Sequence, residues 1–332
     1  MPGASRAATG CRCTGAVTLV IAHRGASGYR PEHTLEAYRL AITMGADFVE
    51  PDLVATKDGA LVARHENEIS GTTDIASHPE FADRFTAKMV DGRCVTGWFT
   101  EDLTLAEVKT LRVRERLPRL RPGNCRFDGR HKVPTFEEIL DLVAHEGRRR
   151  GRAVGVYPEI KAPSYFRSVG LPLEEPMVAA LRRHGLDRPD AAVYVQCFEP
   201  GALRRLADLT WVPLVQLIGP RGAPYDLVAA GDLRTYADLV SDAGLRDIAA
   251  YAVAVGTHKD VVVPSVVDNA HDAGLAVHAW TLSDDVDEYA AFLAAGVDGV
   301  FTDFPDIAVV ARSAFAALGD WRMLRAGVAA MR

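Results

Sequence analysis

Short apolar runs alternate along the chain with stretches whose apolar residues recur at helical spacing. The strand-like runs are Leu19–Ala22, Asp47–Ala55, Val154–Ile160, Ala192–Cys197, Val212–Ile218, Ala252–Val255, Ala276–Trp280 and Gly299–Thr302. The helical stretches are Leu35–Met44, Thr135 to His145, Glu174–His184, Glu199–Asp208, Leu233–Gly244, Pro264–Ala273, Asp285–Ala294 and Pro305–Ala317. Thr34 is placed to cap the first of these and Gly45 to end it. Thr135 and Glu138 form a capping-box pattern. Proline stands at the first turn of the helix from Pro264. Eight strand–helix units predict parallel strands with right-handed crossovers, hence an α/β fold, the closed (β/α)8 TIM barrel. A doubly wound sheet is the alternative, but no GxGxxG follows the first strand.

The rhythm breaks between residues 68 and 132. Gly, Thr, Asp and Pro mix there with charged residues, and Leu105–Leu111 is the one clear helical piece. This reads as an insertion after the second strand, lying over a site. It follows a hairpin signal at Lys57-Asp58-Gly59, whose second arm delivers His65. The expected organisation is a flexible N-terminal segment (1–18), one barrel domain (19–318) and a C-terminal tail (319–332).

Composition narrows the function. Of 332 residues, 48% are hydrophobic and 25% charged, the balance of a soluble globular protein. A net charge of −6 argues against general nucleic-acid binding. The Arg148-Arg149-Arg150 run closes a helix, where cations complement the dipole. Five cysteines at irregular spacing (Cys11, Cys13, Cys94, Cys125, Cys197) indicate no disulfide framework. No apolar run is long enough to span a membrane, and residues 1–18 contain no signal-like apolar core. A cytoplasmic protein is expected.

The chemistry gathers at strand ends, where an α/β barrel keeps its site. His23 and Arg24 end the first strand. Glu50 and Asp52, two apart and so on one face, end the second. Glu159 and Lys161 repeat that spacing on the third, and Gln196, Trp280 and Asp303 close later strands. Adjacent carboxylates repel unless a cation lies between them. An oxygen-only donor set suits a hard divalent cation, Ca²⁺ or Mg²⁺. With a nearby imidazole and fixed cations, the constellation points to chemistry on a phosphate ester.

Six motifs carry a resemblance: HRGASGYRPEHT (23–34), EPDLVATKDGALVARHE (50–66), PEIKAP (158–163), VQCFEP (195–200), AVHAWT (276–281) and FTDFPD (301–306). In this order they resemble the glycerophosphodiester phosphodiesterase family. The resemblance implies that Glu50, Asp52 and Glu159 hold one divalent cation and that His23 and His65 are the acid–base pair, with the order between them open. It implies that Arg24 and Lys161 hold the phosphate. Gln196 and Trp280 are expected on the substrate side, Trp280 as a wall against the glycerol carbons. The implied partners are small glycerophosphodiesters, cleaved to glycerol 3-phosphate and an alcohol. Two positions depart from the common pattern: Glu66 where Asp is frequent and His33 where many members have Asn. Two rival readings are a phospholipase D-like enzyme acting on choline phospholipids and a non-catalytic phosphate-ester binding protein. The first favours secretion and disulfides; the second expects a lost catalytic group, and none is lost.

Some residues receive bland roles. His33, His78, His131, His145, His184, His258 and His271 are expected on the surface or in loops. His278 is expected to be packed beside Trp280, and Phe301 and Phe304 to be core.

Overall fold

The structure is a computed structural model in which residues 17–318 are described. The tail 319–332, most of segment 1–18, Cys11 and Cys13 lie outside the described residues. The strands are β1 (Leu19–His23), β2 (Phe48–Glu50), β3 (Asp52–Ala55), β4 (Leu61–Ala63), β5 (Thr86–Val90), β6 (Arg93–Gly97), β7 (Gly155–Val156), β8 (Glu159–Ile160), β9 (Val195–Cys197), β10 (Leu214–Ile218), β11 (Ala254–His258), β12 (Ala276–Leu282) and β13 (Gly299–Thr302).

β2 and β3 are one extended run divided at Pro51, which has no N–H to give a ladder. β7 and β8 are divided likewise at Tyr157 and Pro158. β1 pairs with β2, β2 with β7, and β3 with β8, all parallel. Parallel pairing then runs from β8 through β9, β10, β11, β12 and β13 and returns to β1. The result is a curled, TIM-barrel-like mixed sheet of 11 strands, in which β4 joins antiparallel to β3 across the predicted hairpin. All eight predicted strand regions are present.

Alternation within the strands explains the layers. Val20 and Ala22 pack outward in the cluster that holds Tyr38 and Ile42 of the helix Leu35–Met44. Ile21, Phe48, Tyr157, Val215, Ala254 and Phe301 fill the barrel interior. The Thr34 hydroxyl accepts from Ala37 N, and Gly45 ends this helix at φ 100°. The Thr135–Glu138 capping box opens a helix that runs on to Arg150, longer than expected.

The structure corrects two expectations. The single helix predicted over Leu233–Gly244 is two short ones, Tyr236–Leu239 and Asp242–Ile248. Thr235 and Ser241 each cap a new start, so cap chemistry divides the segment. Residues 68–132 also contain the β5–β6 hairpin, paired from Thr86–Gly97 to Val90–Arg93. Its Asp91-Gly92 turn is a hairpin signal. Among the described residues, no helix is long and apolar enough to cross a membrane.

Candidate active site

The inner face of each strand continues past its last apolar residue into a charged one. Leu19, Ile21 and His23 share parity on β1, as Phe48 and Glu50 do on β2. Tyr157, Glu159 and Lys161 continue the third position; Phe301 and Asp303 continue the last. His23, Arg24, Glu50, His65, Glu159, Lys161, Gln196, Phe198 and Trp280 therefore meet around one cleft of about 120 Å3. All nine residues expected at the site lie in or beside it, since Asp52 adjoins Glu159 across the β3–β8 ladder.

The carboxylates come first. Ligand oxygens of Glu50, Asp52 and Glu159 lie within 4.8 Å of one another, and all three residues are buried. Three ionised groups so placed repel by on the order of 3 kcal/mol per pair at an effective dielectric of about 20. Burial, then Asp52 and Glu159, pushes the Glu50 carboxyl far above its ordinary range. Burial also raises Glu159, to about 8, against the pull of Lys161. Asp52 goes the other way: burial alone would raise it, but Lys161 and the hydrogen bond to His33 hold it well below. Asp52 Oδ1 is buried with no hydrogen-bond partner. An orphaned carboxylate oxygen facing two further carboxylates fits a hard cation. The triad thus forms a candidate divalent metal centre.

Fixed cations surround it. Lys161 Nζ is 2.7 Å from Glu159 Oε1 and 3.8 Å from Asp52 Oδ1. Arg24 Nε lies 3.4 Å from Asp52 Oδ2, its Nη1 lies 3.0 Å from Glu32 Oε2, and its backbone N–H donates to Glu50 Oε2 at 2.8 Å. Arg24 takes φ 60°, an unfavourable value for a side-chain-bearing residue. Gly25 follows at φ 87°, and a Cβ there would sit 2.7 Å from Ala37 C, so the turn that aims Arg24 demands glycine. Gln196 Nε2 donates to Glu50 Oε1 at 3.2 Å, while its buried Oε1 has no partner.

The histidines are matched. His23 Nδ1 lies 2.8 Å from Asp303 Oδ1, and His65 Nδ1 lies 2.5 Å from Glu66 Oε1. In each, Nε2 is left for proton transfer. Burial, then the Lys161 and Arg24 charges, lowers His65 to about 4. Asp303, despite burial, is held down at about 2 by His23 and Arg121.

His33 overturns its expected surface role. It is fully buried at φ 53°, with Nε2 2.9 Å from Asp52 Oδ2 and Nδ1 2.7 Å from the Tyr38 hydroxyl. The cause is the left-handed turn after Glu32, which folds the ring inward beneath the triad. Arg64 holds that turn, donating from Nη2 to Glu32 O at 3.1 Å and to His33 O at 2.9 Å. Residues absent from the sequence expectation complete the rim. Arg116 joins Glu32 Oε1 at 2.7 Å and Glu66 Oε2 at 2.6 Å. Arg121 Nη2 joins Asp303 Oδ2 at 2.5 Å. Glu32 lies within the 23–34 motif, which is its signal in the sequence; Arg116 and Arg121 carry no comparable signal.

The remaining aromatic and imidazole groups are walls. His278 is buried, Nδ1 2.8 Å from the Tyr157 hydroxyl, below the charged layer. His258 ends β11 with its ring 4.8 Å from that of Trp280, which lines the cleft. Phe301 is core and also lines the cleft; Phe304 is only half-buried and meets Tyr29 edge-on at 5.4 Å.

The profile of the Glycerophosphoryl diester phosphodiesterase family matches residues 23–307, the span that carries this cleft. The chain belongs to that family. The glycerophosphodiester phosphodiesterase GDPD6 of Arabidopsis thaliana is 34% identical over 319 residues, covering 86% of this chain and 83% of that protein. A glycerophosphodiester phosphodiesterase of Bacillus subtilis (strain 168) is 32% identical over 295 residues, covering 87% of this chain and 84% of its own. A solved protein of Silicibacter pomeroyi DSS-3 superposes with a TM-score of 0.70 at 25% identity, over 91% of this chain and 95% of that one. An Oleispira antarctica phosphodiesterase, solved with the product sn-glycerol-3-phosphate, shares the fold with a TM-score of 0.65 at 21% identity, over 90% and 97% of the two chains.

Proposed function

We propose that this enzyme hydrolyses glycerophosphodiesters to glycerol 3-phosphate and a free alcohol, with His23 and His65 as the acid–base pair. One observation carries the reading: two imidazoles, each held at Nδ1 by a carboxylate, line one cleft with a buried carboxylate triad. Glu50, Asp52 and Glu159 would hold one divalent cation, Ca²⁺ or Mg²⁺. When bound, it supplies charge that draws a non-bridging phosphate oxygen and acidifies a neighbouring hydroxyl. Arg24 and Lys161 are placed to hold the phosphate, and their charge reverses the sign the carboxylates would present. Gln196 offers its free oxygen to a substrate hydroxyl. Trp280 walls the glycerol carbons. Residues 68–132 act as an insertion closing the rim through Arg116 and Arg121.

In this scheme the 2-hydroxyl of glycerol attacks phosphorus. Its proton passes to one imidazole Nε2, and the other imidazolium gives a proton to the departing alcohol oxygen. The P–O bond to the alcohol breaks as a cyclic phosphate forms. Water then opens the ring with the proton roles reversed. Each histidine contributes roughly 10²–10⁴-fold.

The test is turnover of glycerophosphocholine and glycerophosphoethanolamine beside a 2-deoxy glycerol analogue. Both diesters should be hydrolysed, and the deoxy compound should bind as a competitive inhibitor without turning over. Equal hydrolysis of the analogue would show that water attacks directly.

A further inference from the structure

Eight arginines and lysines stand between Arg112 and Lys132 against two carboxylates, a surplus of six in a chain whose net charge is −6. Part of this charge is spent on the site: Arg116 and Arg121 clamp Glu32, Glu66 and Asp303. Another part is not. The guanidinium carbons of Arg30, Arg126 and Arg130 lie 4.2, 4.8 and 5.9 Å from the centroid of one ring, that of Phe127. Among the described residues, no carboxylate hydrogen-bonds or ion-pairs with any of the three. Arg30 Nη1 donates only to Tyr29 O, at 2.8 Å. The nearby acids are engaged elsewhere: Asp128 accepts from Glu115 N at 2.8 Å, and Glu36 meets His131 at 3.0 Å.

A ring face attracts a cation, but three cations around one ring also repel one another. Burial and the Arg126 charge both lower Arg30 from its ordinary value, in keeping with that crowding. What such a cluster lacks is an anion. Guanidinium forks favour phosphate over a singly charged or neutral group.

The cluster is tied to the catalytic loop. Ser27, four residues after His23, donates to Asp303 Oδ1 at 2.7 Å. Arg121 and Asn124 both donate to Ser27 O at 3.0 Å. Segment 121–127 therefore sits on the loop that runs from His23 to Arg30, beside the cleft.

We infer that Arg30, Arg126 and Arg130, stacked about Phe127, form a second anion subsite that receives a phosphate carried by the leaving alcohol. The inference rests on the phosphodiesterase reading and deepens it. It makes diesters whose alcohol bears a further phosphate the preferred substrates.

The experiment compares glycerophosphoglycerol with the same diester bearing a terminal phosphate on its leaving glycerol. Wild-type enzyme should favour the phosphorylated compound by about 10-fold in kcat/KM at low salt, with the preference shrinking as salt screens these partly exposed charges. The double variant Arg126→Gln/Arg130→Gln should lose that preference. The Lys/Lys counterpart should keep part of it. Calorimetry of the phosphorylated diester, read on wild type and double variant, measures the subsite without turnover. If neither compound is hydrolysed, the enzymatic reading fails, and the affinity ratio alone decides the subsite. An unchanged ratio in both assays overturns it. So does arginine-dependent sedimentation with phosphatidylcholine–phosphatidylglycerol vesicles without head-group preference. That result would make the cluster a membrane contact, with Leu120, 78% exposed, as its anchor.

Discussion

The barrel's inner face has two heights, and the same strands serve both. At mid-height Ile21, Phe48, Tyr157, Val215, Ala254 and Phe301 form a hydrophobic plug. Two residues further along, the same parity presents His23, Glu50, Glu159 and Asp303. One imidazole belongs to each environment. His278, in the plug, has a single phenol partner, Tyr157. His33, under the triad, has both a phenol and a carboxylate, Tyr38 and Asp52. Burial lowers both to about 4, so both are neutral at pH 7. In the plug this is only a packing requirement. Under the triad the neutral ring also orients a carboxylate. What separates a core histidine from a site histidine here is the second partner.

If the upper layer is a metal centre and the lower layer only packing, removing the cation should affect one and spare the other. Chelation should reduce hydrolysis to background while leaving the fold intact by circular dichroism. Added Ca²⁺ or Mg²⁺ should restore activity. Full turnover by metal-free protein would abolish the distinction between the two layers.

The next effect is smaller. His23→Ala or His65→Ala should lower kcat by roughly 10²–10⁴-fold with the melting temperature nearly unchanged. The double variant should be little worse than the worse single, because the pair acts as a unit. Near wild-type turnover in either single variant would remove that residue from the pair.

The lower layer has its own signature, in stability. Burial lowers His278 to about 4 in the fold, against the ordinary imidazole value of 6.5 in the unfolded chain. The unfolded chain therefore binds more protons between those values. The stability contributed by keeping His278 neutral is fully present above pH 6.5 and is lost as pH falls toward 4. A shift of this size is worth about 3 kcal/mol. Denaturant midpoints of His278→Gln should fall less steeply over that window than those of wild type, even if the variant is less stable at pH 7. Parallel pH profiles would count against the assignment. His33 titrates over the same window, so the slope should be reduced, not erased.

Much of this was legible in one dimension. Period-two alternation, Thr34 and Gly45 around the first helix, and the two-residue spacings Glu50/Asp52 and Glu159/Lys161 depend on local geometry alone. The parts that were missed depend on chain returns. Arg116 meets Glu32 across 84 residues and Arg121 meets Asp303 across 182. No spacing rule links such partners. His33 departs from expectation for a different reason: its burial follows from a positive φ at a non-glycine residue, which its identity does not announce. The β5–β6 hairpin does carry a local signal, Asp91-Gly92, set within an otherwise irregular composition.

The smallest expected effect lies where the two layers meet, at Gln196. The residue is 2% exposed and reaches Glu50 through one long hydrogen bond of 3.2 Å, and its other polar side-chain atom is unpaired. A single net hydrogen bond contributes about 1 kcal/mol, roughly fivefold in a rate or binding constant. Gln196→Leu removes both polar atoms and keeps most of the volume, so packing loss should be slight. If Gln196 serves a substrate hydroxyl, KM should rise about fivefold with kcat little changed. If it serves mainly to hold Glu50, the concentration of Ca²⁺ or Mg²⁺ giving half activity should rise instead, with KM unchanged at saturating metal. A variant unaffected in both would place Gln196 with the packed layer below it, not with the charged one above.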